Sequence, residues 1–133
     1  MANERFSPRK IDSADDLFAQ AIAVLAELEP LADLIPDANN ANTQAQIDLD
    51  RIRIDCEVNY TLMVGGEKEL GSNAEARART LAYHCNSDAD YLAAQAAAHE
   101  SAWELEGMKS RARFLERVLD LYLVAISYIG SAP

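Results

Sequence analysis

The most regular feature of the chain is an apolar or small position recurring every seventh residue through its last third. Counting from Tyr91 gives Ala98, Leu105, Ala112, Leu119 and Ile126. An interleaved set comprises Ala94, Ser101, Met108, Leu115, Tyr122 and Ile129. A stripe with that period drifts slowly around a helix and needs a second helix to cover it. The pattern predicts a long C-terminal helix over about 87–129, with Tyr91, Ala98, Leu105, Met108, Ala112, Leu115, Leu119, Tyr122 and Ile126 as its core or oligomer seam. The first half of this helix is alanine-rich and slim. Its last turns, from Phe114 to Ile126, are apolar nearly all round and must be covered on every side.

Upstream, residues 1–12 are polar and carry Arg5, Pro8, Arg9 and Lys10, the pattern of a flexible N-terminal arm. Residues 13–133 then form a single helical domain. Ser13 followed by Asp16 is a capping-box-like start for a helix over about 13–35, whose stripe is Leu17, Ala21, Val24, Leu28, Leu31 and Ile35. Pro30 has no N–H to donate and should kink or end this helix near Glu29, and Pro36-Asp37-Ala38-Asn39-Asn40 reads as a turn and loop. Residues 43–64 are ambiguous. Ile52, Ile54, Cys56, Val58, Tyr60 and Leu62 alternate with polar residues as in a strand, yet no other segment supplies sheet partners, and the stretch is read as helix. Gly65-Gly66 and Gly71-Ser72-Asn73 break the pattern, with Asn73 as N-cap of a helix over about 74–85. Ser87, with Asp90 three residues on, repeats the cap logic before the long helix. The expected fold is therefore all-α: an antiparallel helical hairpin or bundle with a long C-terminal coiled-coil helix.

Composition narrows the function. The chain has 133 residues, half of them hydrophobic, and a formal charge of −10. That charge disfavours nonspecific nucleic-acid binding, which depends on Lys and Arg neutralising phosphates, and disfavours an anionic membrane surface. The longest apolar run, Leu121 to Ile126, is far too short to span a bilayer. Cys56 and Cys85 make no disulfide framework and suit a reducing, cytoplasmic setting; the N-terminal residues lack the apolar segment of a signal peptide.

From about Asp50 onward the order of turns and caps is distinctive. A Tyr-containing helix end is followed by Gly-Gly-Glu-Lys-Glu-Leu-Gly-Ser-Asn-Ala-Glu-Ala-Arg-Ala at 65–78. A capped Asp-Ala-Asp-Tyr at 88–91 then opens a long helix carrying Arg111, Arg113 and Arg117. This arrangement resembles small coiled-coil proteins of tailed bacteriophages, often encoded near replication and recombination genes. The resemblance implies a helical accessory protein, cytoplasmic in a bacterial host, and brings no functional residues with it. The apolar C-terminal end departs from the more charged final helix of such proteins.

No chemical constellation stands out. His84 and Cys85 diverge by about 100° on a helix and do not converge as zinc ligands. The carboxylate pairs mark no cleft, and neither GxxxxGK[ST] nor GxGxxG is present. No catalytic residue, metal or cofactor is expected. Trp103 faces away from the seven-residue seam and is a candidate anchor for a partner, with His99 one turn away. Arg77, Arg79 and Arg111 complete the partner-binding candidates, either in ion pairs between helices or as a local anion patch. The leading expectation is a homo-oligomeric, non-enzymatic phage-type accessory protein acting through protein–protein contacts in DNA replication or recombination. The alternatives are an anti-defence inhibitor, which binds a host immune nuclease or sequesters its nucleotide signal, and a purely structural scaffold.

Overall fold

The computed structural model describes residues 14–131, so the N-terminal arm and the Ser13 cap lie outside the described residues. The fold is all-helical. Helix α1 spans Ala14–Val64, a single 3-10 turn spans Glu67–Glu69, α2 spans Ala74–Cys85 and α3 spans Ala89–Ser131. No strand occurs among the described residues, which settles residues 43–64 as helix.

The largest departure from expectation is the length of α1. Pro30 and Pro36 both sit inside it, and residues 36–40 are helical instead of forming a loop. Each proline removes one i→i−4 bond and costs about 3 kcal/mol relative to alanine in a helix interior. Both prolines are exposed, as are Ala26 and Ala32, whose carbonyls lose their usual donors, so water can satisfy them. What outweighs the prolines is the covered stripe. Leu28, Leu31, Ile35, Ala38, Asn42, Ala45, Leu49, Ile52 and Cys56 are all buried or half-buried, each three or four residues from the last. The stripe crosses both prolines without losing step. Asn42 occupies one of its positions, and its Oδ1 is buried without a hydrogen-bond partner.

α1 ends where backbone chemistry ends it. Gly65 adopts φ +100°, and the Gly65 and Gly66 N–H groups return to Leu62 O and Thr61 O at 3.3 and 2.9 Å. This glycine-based pair of reverse bonds satisfies the last carbonyls of the helix. α2 starts, as expected, with Asn73 as its cap: the side-chain oxygen accepts from the Ala76 N–H at 2.8 Å. The start of α3 differs by one residue from expectation. Asp88 Oδ1 accepts from the Tyr91 N–H at 2.8 Å, whereas the Ser87 hydroxyl donates back to Tyr83 O at 3.1 Å. α3 also continues through Gly130 to Ser131.

The chain divides into two compact units. One contains residues 14–36 of α1 and 106–131 of α3, with Leu17, Ala21, Val24 and Leu115 buried in it. Glu27 Oε2 and Arg111 Nη2 pair at 2.7 Å within this unit, and the Arg111 guanidinium lies 5.5 Å from the Phe114 ring centre. The other unit contains residues 37–105, with Cys56, Leu70, Cys85, Ala98 and Leu105 buried. Along α3, Tyr91, Ala94, Ala98, Ser101, Leu105, Met108, Ala112, Leu115, Leu119, Tyr122 and Ile126 are all buried or half-buried, and Ile129 is exposed.

Candidate functional site

The first half of α3 is built so that one face is thin and the other is presented to solvent. Ala98 is fully buried and Ala94 and Ser101 are half-buried, so the covered face carries small side chains that admit close approach of a neighbour. At 100° per residue, Trp103 points about 140° away from Ala98. The indole is accordingly 82% exposed, the most exposed of the large hydrophobic residues described. Leu92, Ala96 and His99 are exposed with it, at spacings of four and three, so the four residues line one outward stripe. Glu100 and Glu104, also exposed, give the stripe an acidic margin. Sequence reasoning left open whether other residues cover Trp103; the structure places it in solvent.

The remaining partner-binding candidates are engaged to different degrees. Arg77, in the first turn of α2, reaches back towards the preceding turn: its Nε donates to Asn73 O at 3.1 Å, and its guanidinium is 3.9 Å from the Glu67 carboxylate. Arg79 is exposed on the same helix. Arg111 is held by Glu27 and Phe114, a structural contact between α1 and α3. Tyr83, on α2, is a further aromatic presented to solvent, at 79% exposure.

The turn between α1 and α2 is closely specified. A Cβ on Gly71 would lie 2.8 Å from Ala76 Cβ and 3.0 Å from both Ala76 C and the Arg77 nitrogen, so glycine alone fits without a shift. Leu70 is buried, and the Thr80 hydroxyl donates to Leu70 O at 2.8 Å, tying the turn to α2.

The end of α2 meets α1 through two pairs of side chains. The Tyr60 and His84 rings stack with centroids 3.9 Å apart and planes 11° apart. Next to them lie the two buried free thiols, Cys85 and Cys56. Burial chiefly, together with Cys56 and the negative charges of Glu57 and Asp88, pushes the Cys85 thiol up to about 12. A thiol that stays protonated is a poor nucleophile and a poor metal ligand. That these two cysteines meet is not visible in the sequence, because no spacing rule supplies the path of the turn between their helices.

Two grooves accompany these features in the 37–105 unit. One of about 610 Å³ is lined by Ala45, Ile52, Ala93, Ala94 and Ala97 together with the carboxylates of Asp48, Asp55, Asp88 and Asp90. Asp48 there accepts from Gln44 and Arg51, and Asp88 is spent on its cap. A second, of about 370 Å³, lies beside Arg53, Glu57 and Cys85. No group of three or more His, Cys, Asp or Glu among the described residues is arranged to hold a metal ion, and no helix is long and apolar enough to cross a membrane. Comparison with family models, with curated proteins and with solved structures finds no match to this chain.

Proposed function

We propose that this protein is a non-enzymatic accessory protein that holds another protein against the outward face of α3, with Trp103 as the anchor. One observation carries the reading: an indole 82% exposed on a helix whose opposite face is covered. A large aromatic side chain left in water forgoes a substantial burial energy, and tryptophan is among the residues most often found to dominate protein interfaces. Leu92, Ala96 and His99 extend its footprint, while Glu100 and Glu104 define the margin. The matching surface is an apolar slot for the indole with a basic edge.

Within each compact unit the α1 and α3 segments are read as an antiparallel coiled-coil-type pair. The Glu27–Arg111 pair and the three-and-four spacing of covered positions on both helices support this. The resemblance to phage coiled-coil proteins points to a partner in DNA replication or recombination: a recombinase, an annealing protein or a single-stranded-DNA-binding protein, met in the cytoplasm of a bacterial host. Sequestration of a nucleotide signal draws less support, because Arg77 is already spent on Asn73 and Glu67.

The test is affinity capture with purified proteins of those three kinds, comparing the native chain with Trp103→Ala. The expected result is capture of at least one, weakened more than about tenfold by the substitution, since truncating an aromatic anchor commonly costs 2 kcal/mol or more. Capture of none, or capture undiminished in the variant, overturns the reading.

A further inference from the structure

Two aromatic rings of α3 stand beside carboxylates, and only one of them has a cation. The Arg111 guanidinium lies 5.5 Å from the Phe114 ring centre and pairs with the Glu27 carboxylate at 2.7 Å. Ring, arginine and carboxylate there form one set. At Trp103 the ring and the carboxylates are present without the arginine. At 100° per residue, Glu100 and Glu104 stand about 60° and 100° round the helix from Trp103, in the same sense. Both are exposed, and neither has an ion pair among the described residues. On the other flank lie His99 and Glu106, the latter engaged by Arg113 at 2.9 Å. No lysine or arginine occurs from Thr80 to Met108, and the first beyond, Lys109, is turned about 120° from the indole.

Gly107 adds an independent observation. It sits one turn beyond Trp103 on the same unbroken helix, about 40° round towards the two carboxylates. Its φ is not positive, and an added Cβ would meet no atom within 4 Å. Neither backbone nor packing in this chain therefore requires glycine, which weakens a helix relative to alanine. Helical side chains lean towards the N-terminus, so Gly107 lacks the side chain that would cover the backbone beside Trp103 and Glu104. The bare strip admits close approach by another chain.

Building on the reading of Trp103 as the anchor, we propose that the group it receives from the partner is an arginine side chain. The guanidinium stacks on the indole, its N–H groups donate to Glu100 and Glu104, and its methylene stem runs over the bare backbone at Gly107. Lysine fits worse, because a compact ammonium has no plane to lay on the ring and no fork to reach two carboxylates.

Titration of the full chain with tetra-arginine and tetra-lysine peptides at matched ionic strength tests this, read from the fluorescence of Trp103, the only tryptophan. The arginine peptide should perturb the emission and bind at least about threefold more tightly. Gly107→Ala should raise the thermal midpoint by a few degrees and erase that preference; a merely structural glycine would move stability alone. Glu100→Gln combined with Glu104→Gln should erase the preference as well. Glu67→Gln combined with Glu69→Gln removes the same charge from the turn after α1 and should retain it. Equal binding of the two peptides, emission that neither moves, a preference that survives in Gly107→Ala, or a lowered midpoint in that variant overturns the proposal. A peptide preference without capture of any replication or recombination protein would count against the functional reading alone. Trp103-dependent capture without the peptide preference would count against the arginine site alone.

Discussion

Residues 24–42 and residues 65–88 both contain the residues that ordinarily interrupt helices, and they behave oppositely. The first stretch has Pro30, Pro36, Asn39, Asn40 and Asn42 and remains one helix. The second has Gly65, Gly66, Gly71, Asn73 and Asp88 and stops the chain twice. The difference lies in what each breaker brings with it. Around Gly65, Asn73 and Asp88 the freed backbone groups find named partners in reverse bonds and side-chain caps. The prolines bring no alternative partner, and the apolar stripe on their helix continues unbroken across them. A breaker ends a helix when it offers a replacement structure, and otherwise yields to burial.

That contrast can be broken most forcefully at Leu115, which is fully buried in the unit containing the proline-bearing part of α1. Leu115→Ala should cost about 2–5 kcal/mol in denaturant melts, and amide exchange should quicken through residues 24–36. A loss under about 1 kcal/mol would mean that burial is not what carries the helix past its prolines. Next in size is Pro30→Ala, which restores a hydrogen bond at an exposed position. Stability should rise by as much as ~3 kcal/mol, and a variant no more stable than the native chain would show that the proline is accommodated at no cost.

Gly71→Ala attacks the other region. Its Cβ meets backbone at 3.0 Å, and the expected loss is about 1–3 kcal/mol, read from the thermal midpoint. Asn73→Ala removes one cap and should cost about 1 kcal/mol, with Asn73→Ser restoring most of it. Smallest at neutral pH is the effect of Cys85. Its thiol is raised from an ordinary 9.0 to about 12 in the folded chain, so the unfolded chain releases the proton first. Its contribution to stability is whole below about pH 9 and is lost as pH climbs towards 12. Stability should therefore fall through that window, less steeply in Cys85→Ala. Alkylation of the native thiol at pH 8 should be much slower than that of a free cysteine.

How much of this was legible in the chain follows the same division. The positions covered along α3 could be read directly, because Tyr91 to Ile126 keep a strict period that one helix face requires. The Asn73 cap was legible for a similar reason, since the chemistry and the position coincide. The cap of α3 was misplaced by one residue, because Ser87 and Asp88 are both good acceptors and only the backbone path decides between them. The continuity of α1 was hidden by two prolines read as local stops, and by small or polar residues at Ala38, Asn42 and Ala45 that disguise the stripe joining its halves. The outward direction of Trp103 was predictable from its place relative to Ala98 and Leu105. Its exposure was not, because cover could have come from residues distant in sequence. The pairing of Cys56 with Cys85 and of Tyr60 with His84 depends on the path of the turn between α1 and α2, which no spacing rule supplies.

Trp103 is the chain's only tryptophan, so its fluorescence reports directly on the surface to which function is assigned here. Acrylamide quenching of the free protein, repeated with a captured partner protein bound, is the most direct measurement. The account predicts red-shifted emission and near-maximal quenching in the free chain, then a blue shift and protection in the complex. Blue-shifted, quencher-resistant emission from the free chain, or emission unmoved by the bound partner, would contradict it.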